Sequence, residues 1–165
     1  MNLIITMIIM TFFKVSLTVS STAFQSNGMI PSKYTCDGTN INPPLKIAGA
    51  PSGAKSLAII LEDPDAPNGT FVHWVTWNIK PTDMIAENFA IGIQGNNGAG
   101  KLGYMGPCPP TGTHHYHFKV YALDAMLDLK AGADKKTLEA AMQNHVVGYG
   151  ELIGTYAKAT KMENK

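Results

Sequence analysis

Three short segments each put a titratable side chain on a strand face that is otherwise apolar. They are SLAIILEDPD at 56–65, FVHWV at 71–75 and HHYHFKV at 114–120. Side chains along a strand alternate between two faces, so every second residue shares an environment. Asp63 is then in phase with Leu57, Ile59 and Leu61, His73 with Phe71, Val75 and Trp77, and His114 and Tyr116 with Phe118 and Val120. Burying such groups singly is costly, so several of them at the ends of apolar faces point to a shared polar pocket. Imidazole and phenol can donate hydrogen bonds to an anion, and a carboxylate can orient a histidine and favour its charged form. The same groups could also serve as acids and bases.

The neighbours of these residues read differently. His115 and His117 fall on the opposite face with Lys119 and are expected to be solvated. A cupin-like metal site built on His115 and His117 lacks a suitably spaced carboxylate, so no metal or other cofactor is expected. In Asp63-Pro64-Asp65-Ala66-Pro67 the two prolines make a rigid corner directly after an apolar run. Asp65 in that corner fits a turn in which its carboxylate accepts from nearby backbone N–H groups, a reading that suits Asp63 less well. Gly106-Pro107-Cys108-Pro109-Pro110-Thr111-Gly112 is a stiff loop running into His114, able to wall a small pocket or merely to connect two strands.

The elements that must hold these residues are mostly strands. Turn signals such as Asn27-Gly28, Asp37-Gly38, Pro51-Ser52-Gly53 and Pro67-Asn68-Gly69 punctuate β-branched and aromatic runs. Strands are expected near 19–24, 56–62, 71–79, 115–123 and 151–157. A helix is expected over 134–147, with Asp134 as N-cap, Leu138 and Met142 on one face, and Gly148 as its stop. Residues 88–110 are Gly-rich without periodicity and read as a long loop.

At 165 residues with 45% hydrophobic and 15% charged content, the chain has the size and composition of one globular domain. A net charge of +1 implies neither nucleic acid nor an anionic membrane as partner. All 13 cations are Lys, so an anion site must work without the guanidinium fork. Residues 3–13, LIITMIIMTFF, are too short to span a bilayer but fit a signal-peptide core, although no Lys precedes them. The reading is a signal or leader over 1–16 and a single domain over 17–165, in a periplasmic or secreted protein and otherwise a cytoplasmic one. Cys36 and Cys108 would be free thiols in a reducing compartment and a disulfide candidate in an exported protein.

Taken in order, IPSKYTCDG at 30–38, NPPL at 42–45, DPDAP at 63–67, GTFVHW at 69–74 and GPCPPTGTHHY at 106–116 resemble the phosphatidylethanolamine-binding protein family, in particular its bacterial and archaeal Raf-kinase-inhibitor-like branch. The resemblance implies a mainly β fold of packed antiparallel sheets with a few peripheral helices. It also implies a small pocket for phosphate or a phospholipid head group. Carried over by motif, that pocket comprises Asp63, Asp65, His73, His114 and Tyr116, walled by Gly106, Pro107 and Pro109. Exported members carry cysteines at the positions of Cys36 and Cys108, which favours the disulfide.

The expected function is non-enzymatic binding of a phosphate-like anion, with an unidentified protein partner to regulate or inhibit as a further role the family name suggests. Histidine N–H groups and backbone N–H groups of the Gly106 loop would hold the anion, and the Tyr116 hydroxyl would bond it. The alternative is a hydrolase using Asp63, His73 and His114 as acid–base groups, against which stands the lack of a Gly-x-Ser-x-Gly elbow.

Overall fold

The structure is a computed structural model that describes residues 14–89 and 92–158. Most of the expected leader therefore lies outside the described residues. Its last two positions form a first short strand, β1 (Val15–Ser16). There follow β2 (Thr18–Ser20), a 3-10 turn at Ser32–Tyr34, β3 (Leu45–Ala48), β4 (Ser56–Asp63), β5 (Phe71–Ile79), β6 (Met84–Ile85), β7 (Ile93–Gln94), β8 (Thr113–Leu123), α1 (Lys135–Met142) and β9 (Val146–Ala157).

Six strands form one sheet in the order β1-β9-β8-β4-β5-β7, and β2-β3-β6 form a second. All pairings are antiparallel except β1 with β9. β4 is the centre of the large sheet, and every one of its residues is buried. That is why Ser56 to Asp63 read as a nearly continuous apolar run rather than an alternating one. Leu57, Ile59 and Leu61 face a core shared with Val19, Leu45, Ile47 and Ile85 of the small sheet. Ala58 and Ile60 face the other way, into a core closed by Leu127 and by Leu138 and Met142 of α1. The layers run small sheet, large sheet, helix. Burying a side chain such as Leu138 contributes roughly 1.5–3 kcal/mol, enough to hold a helix this short.

The helix departs from its expected span. Asp134 caps it by accepting from the Thr137 N–H at 2.8 Å, but it ends at Met142. The His145 N–H closes onto the Met142 carbonyl at 2.8 Å, and Val146 already pairs with Leu123. Two β-branched residues beside an eleven-residue strand gain more from that ladder than from another helical turn. One α-helix and one 3-10 turn stand among the described residues where a few peripheral helices were expected. The first expected strand shrinks to Thr18–Ser20, while Phe24 tucks into the core against Phe118. The long loop carries β7 and a bridge between Asn96 and Leu102.

Both long flanks of the large sheet are met by backbone beyond the named strands. Along β9, Leu17 donates to Tyr149, Asn27 to Ile153 and Ile30 to Thr155, at 2.7–2.8 Å. Along β5, Gly98 donates to Val72 at 2.7 Å and Met105 to His73 at 2.9 Å.

Candidate functional site

Asp63 is the last residue of β4, and His114 is the second residue of the neighbouring β8. The His114 Nδ1–H donates to Asp63 Oδ2 at 2.7 Å, with both side chains buried. The other carboxylate oxygen, Oδ1, accepts from the Asp65 backbone N–H at 2.9 Å, so the Pro64 corner closes back on its own strand. Both oxygens of Asp63 are thus engaged, which a buried carboxylate requires. His114 is left with Nε2 as its second ring nitrogen.

His73 reaches the same place by a break in the β alternation. Leu61 pairs with Trp74 and Glu62 with Val72, so His73 is the extra residue of a β-bulge. Trp74 packs with Leu61 in one core, while Val75 and Trp77 pack with Ala58 and Ile60 in the other. Strict alternation had grouped His73 with Val75 and Trp77. The bulge moves it to the opposite side, where its ring lies 4.9 Å from Phe71 and 5.3 Å from Tyr116 between centroids. Its Nδ1 lies 2.8 Å from the Met105 carbonyl, and a carbonyl only accepts, so Nδ1 carries the proton. Burial pushes the His73 pKa below its ordinary value, against the opposing pull of the Met105 carbonyl and the Asp63 charge. The free ring is therefore neutral, with Nε2 as an acceptor.

The two histidines open on one cavity of about 210 Å³. Its remaining walls are Asp63, Ala66, Pro67 and Phe71 from the β4–β5 turn side, and Met105, Cys108 and Pro110 from the loop before β8. Cys108 is bonded to Cys36, with the two Cα atoms 5.4 Å apart, and the Cys36 N–H donates to the Pro107 carbonyl at 3.0 Å. The wall is thereby tied to the 3-10 turn segment from the opposite end of the chain order. Gly106 has to be glycine, since a Cβ there would stand 2.6 Å from the Tyr34 carbonyl oxygen.

The structure brings Asp63, His73 and His114 together as expected and arranges the others differently. Gly106, Pro107 and Pro109 are buried behind the wall, and the alternate residues Cys108 and Pro110 face the cavity. The Gly106 N–H is spent on Asn40 Oδ1 at 2.7 Å and cannot serve an anion. Asp65 turns outward, accepting from both the backbone N–H and Nδ1 of His115 at 2.8 Å, which hold its carboxyl below the usual range. Tyr116 lies beneath the site, not in its wall: it is fully buried, and its ring stacks on His114 with centroids 6.5 Å apart. Burial first, then the Asp63 charge, push its pKa up; the Asp63 carboxylate and the Cys108 backbone lie near its hydroxyl, but neither completes a well-aligned hydrogen bond with it. The alternation puts His117 and Lys119 on the far face, but there His117 pairs with Glu151 and Lys119 with Glu62 and both are half-buried; His115 alone of the three is exposed as expected.

Met105 was missed because it acts through a backbone carbonyl, which no residue type advertises. The choice of Cys108 and Pro110 over their neighbours is a matter of loop phase, and prolines carry no periodic signal. No group of three or more His, Cys, Asp or Glu able to hold a metal ion occurs among the described residues.

Comparisons with known proteins agree with this arrangement of strands. A family model described as phosphatidylethanolamine-binding protein matches residues 20–157. A UPF0098 protein of Pyrococcus horikoshii is 55% identical over 156 residues, covering 88% of this chain and 78% of that relative. The crystal structure of a phosphatidylethanolamine-binding protein homologue from Chlamydia trachomatis has a TM-score of 0.85 at 42% identity, covering 87% of this chain and 99% of that one. YbcL of E. coli, described as a new member of the mammalian PEBP family, has a TM-score of 0.78 at 25% identity, covering 89% and 100%.

Proposed function

This chain belongs to the phosphatidylethanolamine-binding protein family, and on that premise we propose that it is a non-enzymatic binding protein whose cavity takes phosphate or the phosphoryl end of a head group. The observation that carries the reading is the fixed pair of imidazoles. Each has Nδ1 committed, His73 to the Met105 carbonyl and His114 to Asp63, so each presents Nε2 as its remaining polar atom on a shared cavity. An anion that still carries a proton can donate it to Nε2 of His73, or the ring can take up a proton from solvent as the anion arrives. Asp63 repels an anion less because its oxygens are already engaged. At about 210 Å³ the cavity suits a head group and not an acyl chain, being smaller than pockets for drug-sized ligands.

Binding is favoured over hydrolysis because the cavity wall offers no hydroxyl, its one cysteine sulfur, that of Cys108, is held in the disulfide, and the Met105 thioether carries no proton to lose. The disulfide also supports an exported location, since such bonds persist where thiols are not kept reduced. No helix among the described residues is long and apolar enough to cross a membrane.

The test is an NMR titration of the imidazole signals with inorganic phosphate and with phosphoethanolamine. Both ligands are expected to shift His73 and His114 and to leave His145, which pairs with Asp124 on the surface, in place. Unmoved His73 and His114 signals at millimolar ligand would sink the reading.

A further inference from the structure

The turn between β4 and β5 contains a feature that anion binding does not use. Asn68-Gly69-Thr70 is the one Asn-x-Ser/Thr triplet with a non-proline middle residue in the whole sequence. This is the acceptor pattern for N-linked glycans, in which the hydroxyl two residues on helps present the Asn amide. We propose that Asn68 is an N-glycosylation site at the rim of the cavity.

All three residues of the triplet are exposed. The side chains of Asn68 and Thr70 make no hydrogen bond to the protein, so neither is held away from an enzyme. Gly69 has φ +94° with nothing within 4 Å of where a Cβ would lie, so the turn projects into open space. The turn itself is fixed at its base by the Gly69 N–H donating to the Ala66 carbonyl at 3.1 Å. An accessible amide on a stable turn stays reachable after the chain has folded.

A second observation bears on the compartment. N-glycans are added outside the reducing cytoplasm, which is also where the Cys36–Cys108 disulfide persists. The triplet directly follows Ala66 and Pro67 and precedes Phe71, all three of which line the cavity. A glycan here would stand beside the mouth and not on the far face of the molecule. The proposal rests on the exported location given above, and it is independent of what the cavity binds.

In the transfer, Asn68 Nδ2 attacks the anomeric carbon of an oligosaccharide carried on a lipid pyrophosphate. The new C–N bond forms as the anomeric C–O bond breaks. Its electron pair leaves with the pyrophosphate, and the amide nitrogen loses one proton to a base of the transferase. No oxidant or reductant is involved.

The experiment is peptide mass mapping of the full chain isolated from its own source cells. Glutamyl endopeptidase releases residues 63–87, bounded by Glu62 and Glu87. That peptide is expected to carry sugar-sized mass increments that fragmentation places on Asn68. In the same cells T70A and N68Q should lose the increment, and T70S should keep it. A peptide found only unmodified or only deamidated would overturn the proposal, as would an increment that survives T70A. The mass map reads the glycan whether or not phosphate binds, so the two readings fail separately.

Discussion

His114 and Asp63 are joined by a 2.7 Å hydrogen bond that links the start of β8 to the end of β4, and neither side chain has appreciable access to water. Removing one member of a buried pair strands the other, at a cost of about 3–5 kcal/mol. His114→Ala is therefore expected to lower unfolding stability by about 3 kcal/mol or more in a urea titration. Asp63→Asn keeps an acceptor of the same shape, so it should destabilise less while still weakening phosphate binding. Equal stability for the two variants would mean that the pair does not act as a unit.

His73 makes stability depend on pH in a defined sense. Burial lowers its folded pKa, so the unfolded chain, near 6.5, takes up a proton first as pH falls. Its contribution is complete above about pH 6.5 and is lost as pH falls from there towards the folded value. His73→Asn retains a donor for the Met105 carbonyl but cannot titrate. The stability gap between wild type and this variant should narrow between pH 7.5 and pH 5, read from urea midpoints at each pH. A gap that stays constant would show that the ring is not held neutral by burial.

Tyr116→Phe should separate stability from binding. The hydroxyl is buried without a well-aligned hydrogen bond, so deleting it should leave stability unchanged or raise it by up to about 1 kcal/mol. Because the ring forms the floor and not the wall, phosphate affinity by calorimetry should change by less than about threefold, against at least about tenfold for His73→Asn. A tenfold loss in Tyr116→Phe would show that the hydroxyl reaches the ligand.

The disulfide joins two cysteines 72 positions apart in the sequence. Chain-entropy arguments put the loss on replacing both cysteines by serine at about 4 kcal/mol, measured by guanidinium unfolding. Since Cys108 is also part of the cavity wall, the same variant should bind phosphate more weakly under conditions where it remains folded.

The strands and the pair Asp63–His114 were legible because β4 and β8 keep strict alternation up to their ends. His73 was legible for a reason that does not hold: its assumed companions Val75 and Trp77 face the other core, and only the bulge opposite Leu61 and Glu62 returns it to the site. A bulge of this kind leaves no mark in residue type. The expected helix end failed at Val146 because the partner strand is remote in sequence, and pairing with it outweighs local propensity. The loop wall failed by one residue, since Gly106 and Pro107 pack against the Tyr34–Asn40 segment, far back in the chain.

The backbone that lines both flanks of the large sheet limits how another protein can engage this one. Recognition by strand addition needs a run of unpaired N–H and C=O groups. Leu17, Asn27 and Ile30 occupy that position along β9, and Gly98 and Met105 occupy it along β5. On these two flanks a partner would have to read loop tips and side chains instead. The same capping blunts edge-to-edge association between copies, which for a sheet with an eleven- and a twelve-residue strand is the main route to aggregation.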